Sequence, residues 1–348
     1  LYTTRSIHKI LIFSVHFTIQ SVFFKFYRLT LQEPFQNALG TFSYREGFVI
    51  EVRDHQNRSG LGESAPLAGF GMESLQETEA ILSQLSKSLI NAEIENLQDI
   101  EELLRECDRT PAAKHGMELA LLHLLAQSQN LPLAQLLANS VNGTVREQVP
   151  MNVVIGAIAP ELAAIKAQEY FTQGYRCLKI KVGTQDFGSD LRRVEAVRSQ
   201  VGNHVQIRID ANQAWSVNEA IANLAKLEFL QIEYIEQPVA ALDLTGMATV
   251  RRSQPIPVAA DESVNNLIQI QQVITSKAAD IIILKPMALG GIFTAHRAAF
   301  MALNAGLDVV VTTTIDGAIA RQAAYDLAAS LPIKRACGLA TGHLLIEK

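Results

Sequence analysis

The chain has 348 residues, 48% of them apolar and 19% charged, with a formal net charge of -5. At about 150 residues per domain this length holds two domains, or one large α/β barrel with an appendage, and a core of that size needs no staples. The slight acidity, spread over both signs from Glu33 onward, argues against a protein that works by neutralising phosphates, and no apolar run reaches the ~18 residues that span a bilayer, so neither nucleic acid nor membrane is an expected partner.

Residues 1–21 hold no acid, carry Arg5 and Lys9, and include the apolar run Ile10-Leu-Ile-Phe-Ser-Val15. They read as an N-terminal extension, a leader or a misassigned start, ahead of a first domain over 22–140. From Phe24 to Glu63 short β-like runs alternate with Gly- and Asn/Asp-bearing turns, as in an antiparallel meander. Helical periodicity follows over 75–90, 94–104 and 117–126, interrupted near Pro111 and Pro132. Strands first and helices after predict an α+β domain. Cys107, Cys177 and Cys337 lie far apart without a CxxC, which fits a reducing cytoplasm and no thiolate metal site.

After Pro150 the pattern becomes strand, helix, strand, helix. Strand-like runs begin near Met151, Cys177, Val205, Ile232, Val258, Ile281, Asp308 and Cys337, with helices such as 160–173 and 217–227 between them. This predicts a parallel α/β barrel of the (β/α)7β type over 141–342, followed by a short tail over 343–348. There is no GxGxxG or GxxxxGK[ST] to support an open doubly wound sheet.

Ionisable residues stand where the apolar strands stop. Lys179 and Lys181 end the second barrel strand, Arg208 and Asp210 the third, Glu236 the fourth, Asp261 the fifth and Lys285 the sixth. Positions 181, 210, 236, 261 and 285 are separated by 29, 26, 25 and 24 residues, one β/α unit each. In a parallel barrel all strand C-termini open on one rim, so these residues converge there. Three carboxylates make a hard, all-oxygen ligand set suited to Mg2+, with Mn2+ the alternative. A nearby divalent cation, Lys179 and Arg208 would favour a neutral Lys181, lowering its pKa toward ~7–8, where an amine accepts protons. The implied chemistry is proton abstraction beside the carboxylate of a small-molecule substrate, with the metal holding the enediolate.

At these residues the chain resembles the enolase superfamily, in the branch with a KxK on the second barrel strand and a lysine on the sixth. Lys179-Ile-Lys181-Val-Gly183, Asp210-Ala-Asn212, Glu236-Gln-Pro238, Asp261-Glu-Ser263 and Leu284-Lys-Pro286 match that family's signatures in order and spacing, over roughly residues 22–342. The resemblance implies that Asp210, Glu236 and Asp261 bind the metal, that Lys181 is the base, and that Lys285 is the opposite-face acid/base or enolate-stabilising cation. Lys179, Arg208, Asn212 and Glu262 are expected to support them, and Thr313, Thr314 and Gly338 to contact substrate.

Within the branch, Arg45-Glu-Gly47 followed by Gly60 to Glu73 resembles the GxGExxPLPGFxxE stretch of the o-succinylbenzoate synthase family, with Ala68 where proline is usual. That resemblance implies a carbon–oxygen lyase: syn loss of water from 2-succinyl-6-hydroxy-2,4-cyclohexadiene-1-carboxylate on the way to menaquinone or phylloquinone. The alternative on this scaffold is an N-acylamino acid racemase or a dipeptide epimerase. Dipeptide epimerases usually place an acidic DxD on the last strand, where this chain reads Gly338-Leu-Ala-Thr-Gly342. Relatives often continue past this point and pack back on the capping domain; six residues follow Gly342 here, which puts that closure in question.

Overall fold

Two sheets organise the chain in its computed structural model, which describes residues 16–37, 40–183 and 186–346. The first is antiparallel and contains β1 (Phe17–Asn37), β2 (Gly40–Asp54), β3 (Ser59–Ser64) and β4 (Glu93–Ile94) in the order β3-β2-β1-β4. Phe17 and Ile19 turn inward, a register shift between Ile19 and Ser21 moves the inward side to Val22, and on β2 Phe48, Ile50 and Val52 alternate inward as the period of two requires, while Phe23 and Arg53 face out. The strand begins at Phe17, five residues ahead of the expected boundary at 22, and Phe17 and Ile19 are part of the capping core. Residues 1–15 of the expected extension lie outside the described residues.

Helices α1 (Leu75–Ser88), α2 (Leu97–Leu103), α3 (Pro111–Ser128) and α4 (Leu133–Asn139) cover the inner face. Pro111 does not interrupt a helix but opens α3 at its first turn, where a missing N–H costs nothing. Backbone contact between α3 and β3 is close enough that a Cβ at Gly62 would lie 1.8 Å from the Gly116 carbonyl oxygen, so a side chain there would drive the two elements apart.

The second sheet is parallel. Its strands run in chain order: β5 (Val153–Ile155), β6 (Cys177–Lys181), β7 (Gln206–Asp210), β8 (Ile232–Glu236), β9 (Val258–Ala260), β10 (Ile281–Leu284) and β11 (Asp308–Val311). The expected eighth strand is reduced to parallel bridges, Met151 with Cys337 and Thr312 with Gly338, which close the ring between β11 and β5. Outside lie α5 (Pro160–Thr172), α6 (Phe187–Val201), α7 (Val217–Leu227), α8 (Leu244–Ser253), α9 (Leu267–Thr275), α10 (Pro286–Leu289), α11 (Ile292–Asn304) and α12 (Ala318–Ser330). Inside, Tyr234, Ala259, Ile281, Ile283 and Val310 fill the barrel below the rim, so it is a packed core with a mouth.

Capping domain and barrel are joined through buried polar groups. The Glu63 carboxylate accepts from the Gly317 and Ala320 amides at the start of α12 (2.6 and 3.0 Å), and the Tyr27 hydroxyl donates to it at 2.5 Å. Glu118 accepts from the Phe293 amide at the start of α11 at 3.0 Å. Both carboxylates meet the positive end of a barrel helix. The C-terminal tail does return to the cap: Leu345 bridges Leu31 antiparallel, and the Ile346 amide donates to the Thr30 carbonyl at 2.8 Å. No described helix is long and apolar enough to cross a membrane.

Candidate active site

Strand register assembles the ladder. Lys181 pairs across with Asp210, Asp210 with Glu236, and Glu236 with Ala259, so Asp261 extends the same inward row two residues on. Local sequence fixes how abruptly each strand ends. After Asp210 the chain turns through Asn212 and Gln213 at φ 41° and 69°, and a Ser216/Glu219 capping box starts α7 at once. Asp210 is thereby held at the rim.

The charged groups lock together. Lys179 Nζ donates to Glu236 at 2.5 Å and lies 2.9 Å from Asp210; Lys181 Nζ donates to Asp210 at 2.5 Å and to Asn212 Oδ1 at 2.7 Å. Asn212 passes the chain on, its amide donating to Glu262 at 3.0 Å. Lys285 pairs with Asp261 and sits 3.9 Å from the centre of the Phe70 ring, a cation–π contact brought by the capping domain. Burial pulls the Lys179 ammonium down, but Asp210 and Glu236 outweigh it and hold the pKa well above the ordinary lysine value. Burial pushes the Glu236 carboxyl up to about 7, and neighbouring Asp210 and Asp261 add to this against the pull of Lys179. Asp210 goes the other way, its burial outweighed by Lys179 and Lys181.

Asp210, Glu236 and Asp261 are 0%, 1% and 2% exposed. Three buried carboxylates need compensating charge, and three ammoniums supply it. Among the described residues no three His, Cys, Asp or Glu side chains are drawn into a ready-made cage, because the triad's oxygens are engaged by lysines. The donor set is nevertheless all oxygen and buried, which fits a hard divalent cation competing with the ammoniums for the same atoms. Arg208 lies elsewhere than expected. Its guanidinium is one rung below the rim, fully buried, bonded to Glu233, Asn152 Oδ1 and the Ala336 carbonyl, and 4.7 Å from the Tyr234 ring centre. It braces the barrel floor and makes no bond to Lys181.

Above the floor is a cavity whose empty space, open mouth included, is about 700 Å³. Lys179, Lys181, Asp210, Asn212, Asp261 and Lys285 line one side, whereas Arg208, Glu236 and Glu262 do not line it. The other side is built from Asn152, Val154, Thr312, Thr313, Thr314, Ile315, Gly338 and Thr341, and Phe42, Leu67, Phe70 and Leu344 also contribute. Thr313 and Thr314 are present as expected, but their hydroxyls bond Thr341 at 2.9 Å and Asp316 at 2.5 Å. Ile315 has φ 59°, a conformation costly for a β-branched residue, and Arg45 donates to its carbonyl at 3.3 Å. A strained residue therefore shapes the wall, held there by the capping domain. Phe42, Asn152 and Leu344 escaped the sequence reading, each in an otherwise ordinary apolar or turn segment that only tertiary folding brings to the mouth; Leu67 and Phe70 fall in the Gly60 to Glu73 stretch singled out in the sequence, which gave no sign that they line the cavity.

Residues 162–347 match the family described as enolase C-terminal domain-like, and residues 20–138 match the mandelate racemase / muconate lactonizing enzyme N-terminal domain. The chain is 34% identical over 309 residues to an L-Ala-D/L-Glu epimerase of Bacillus subtilis (strain 168), covering 86% of this chain and 82% of that one. To an N-succinyl-L-Arg/Lys racemase of Bacillus cereus it is 32% identical over 328 residues, 92% and 86% of the two chains. An o-succinylbenzoate synthase of Thermobifida fusca is 39% identical over a shorter 204 residues, 58% of this chain and 62% of that one. Among solved structures, a dipeptide epimerase from Enterococcus faecalis, in complex with Mg and the dipeptide L-Leu-L-Tyr, superposes with a TM-score of 0.87 at 30% identity over 94% of this chain and 96% of that one.

Proposed function

Because the chain belongs to the mandelate racemase and muconate lactonizing enzyme branch of the enolase superfamily, we propose that it racemises an N-acylamino acid by moving the α-proton from one face of the α-carbon to the other, with Mg2+ (or Mn2+) as its metal. The observation that carries this reading is the asymmetry of the mouth. Lys181 and Lys285 line one cavity from different strands, and the side away from the carboxylate triad offers hydroxyl, amide and apolar groups with no carboxylate among the described lining residues. The Bacillus subtilis and Bacillus cereus relatives, matched over more than four fifths of both chains, are named as an epimerase and a racemase, which favours proton return to carbon over loss of water. The ammonium at the far end of a dipeptide's acyl arm would call for an acid near Gly338, whereas an acetyl or succinyl arm carries no ammonium and calls for none.

Asp210, Glu236 and Asp261 would hold the metal. When bound, the cation supplies Lewis-acid stabilisation of the negative charge that gathers on the substrate carboxylate as the α-proton leaves. One lysine in its amine form takes that proton; the other, as ammonium, gives its own to the opposite face, and exchange with solvent resets the pair. Asn212 and Lys179 orient Lys181 and Asp210, and Phe70 holds Lys285 from above. Polarimetry of N-acetyl- and N-succinyl-L-leucine with Mg2+, and again with chelator, tests the proposal. Metal-dependent loss of optical rotation is expected; unchanged rotation with active-site-intact protein would refute it.

A second reading retains o-succinylbenzoate synthesis, favoured by the 39% identity to the Thermobifida fusca protein and by the Gly60 to Glu73 stretch. There Lys181 would take the proton beside the carboxylate and return it to the departing hydroxyl, with Lys285 stabilising charge. An ultraviolet assay for aromatic product from the cyclohexadiene carboxylate separates this lyase reading from the racemase.

A further inference from the structure

Arg45 is 3% exposed, and its guanidinium donates to three main-chain carbonyls: Ala65 at 2.7 Å, Pro66 at 3.1 Å and Ile315 at 3.3 Å. Taking a cation out of water to bond neutral carbonyls is costly, which points to backbone that would otherwise move. The Ala65 to Phe70 stretch has further anchors, since the Ala65 amide donates to Met287 Sδ at 3.3 Å and Asn265 donates to the Phe70 carbonyl at 3.2 Å. Ile315 is the strained partner. At φ 59° its β-branched side chain crowds its own backbone, and without an external hold such a residue returns to negative φ, turning the flanking peptides and swinging Cβ away. Its amide donates to Thr313 Oγ1 at 3.3 Å, and two residues on the Gly317 amide donates to Glu63 at 2.6 Å. A cation and an anion of the capping domain therefore bracket the turn. The Ile315 side chain packs with Leu31 of β1 and Leu345 of the tail, with Leu29, Phe42 and Leu344 against them, and Ile315, Phe42 and Leu344 also line the cavity.

We propose that Arg45 is a positioning residue for substrate binding: its bond to the Ile315 carbonyl holds the left-handed turn that sets the Ile315 side chain in the cavity wall, with Phe42 and Leu344 packed beside it. The kinetic readout rests on the racemase reading above; the conformational one does not. Ile315 offers the substrate only apolar contact, which ground state and transition state feel alike, so loss of the wall falls on KM and spares kcat. Glycine adopts the left-handed turn without strain, so a chain with glycine at 315 has no need of Arg45 to hold it. A residue that merely stabilised the capping domain would matter equally in both backgrounds.

The experiment is a double-mutant cycle of R45M, which keeps the unbranched stem and removes every donor, with I315G, read by racemisation of N-acetyl-L-leucine in Mg2+ buffer and by a crystal structure of R45M. In the wild-type background R45M is expected to raise KM at least about 10-fold, the scale of a disturbed apolar pocket, with kcat within about 2-fold. In the I315G background the same change should add less than about 2-fold to KM. In the crystal Ile315 should have left positive φ. An equal KM increase in both backgrounds, a loss confined to kcat, or an unchanged KM overturns the proposal, and so does an R45M crystal with Ile315 still near φ 59°. Should no N-acyl substrate be racemised by wild type, the racemase reading fails and the crystal alone decides: a relaxed Ile315 upholds the clamp, an unmoved one defeats it. Should R45M fail to fold by circular dichroism, R45M/I315G decides, since a folded double variant shows that Arg45 acts through Ile315 and an unfolded one shows that it does not.

Discussion

The two halves of the barrel mouth are built on opposite principles. Around β6 to β10, ammoniums and carboxylates alternate at bonding distance, buried and mutually neutralising. Around β11, Gly338 and β5 the lining is threonine, amide, glycine and aliphatic, and the capping domain supplies Phe42, Leu67 and Phe70. The charged half can serve any substrate with a carboxylate and an acidic neighbouring C–H. On the proposed reading the neutral half would distinguish among such substrates, so that the reaction class would follow from the first half and the substrate from the second.

Removing a lysine should break the charged half most severely. K181A and K285A are each expected to lower kcat/KM for racemisation by roughly 10³-fold or more, as loss of a general acid/base does, with the fold intact by circular dichroism. D261N should weaken Mg2+ by on the order of 10-fold or more in calorimetric titration; an unchanged affinity would remove Asp261 from the ligand set.

A third change leaves both halves in place. Burial pushes the Glu118 carboxyl up to about 7. Because the folded value lies above the unfolded one, near 4.5, the folded chain holds the proton more tightly, and stability falls as pH rises from about 4.5 to 7 and stays low above that. E118Q, which cannot ionise, should therefore be more stable than wild type at pH 8 by up to roughly 3 kcal/mol in denaturant unfolding, with the gap closing toward pH 4.5. A gap independent of pH would show that Glu118 contributes through packing alone. The smallest effect is expected at the seam between the halves: F70L removes the ring from Lys285, and a cation–π contact worth about 1 kcal/mol predicts a loss of about 5-fold in kcat/KM.

The charged half was almost wholly legible in the sequence. Lys181, Asp210, Glu236, Asp261 and Lys285 recur at one β/α unit each, and a parallel barrel has one rim on which to gather them. Arg208 was misread because position on a strand gives the face but not the height: its long side chain runs down to Glu233 instead of up to Lys181. The neutral half was mostly illegible. Asn152 precedes an apolar strand with nothing periodic about it, and Phe70 lies more than two hundred residues from the lysine it covers. Residues 17–21 were assigned outside the first domain because composition cannot show that Phe17 pairs with Ile94.

The central claim, proton transfer by two lysines to opposite faces of one carbon, is tested most directly by nuclear magnetic resonance in D2O. Both enantiomers of N-acetyl-leucine are incubated with wild type, K181A and K285A in the presence of Mg2+. Wild type should exchange the α-proton of both enantiomers and interconvert them, and each variant should exchange the proton of one enantiomer only, opposite between the two, without racemisation. Exchange of both enantiomers by either variant, or no exchange by wild type alongside formation of aromatic product from the cyclohexadiene carboxylate, would contradict it.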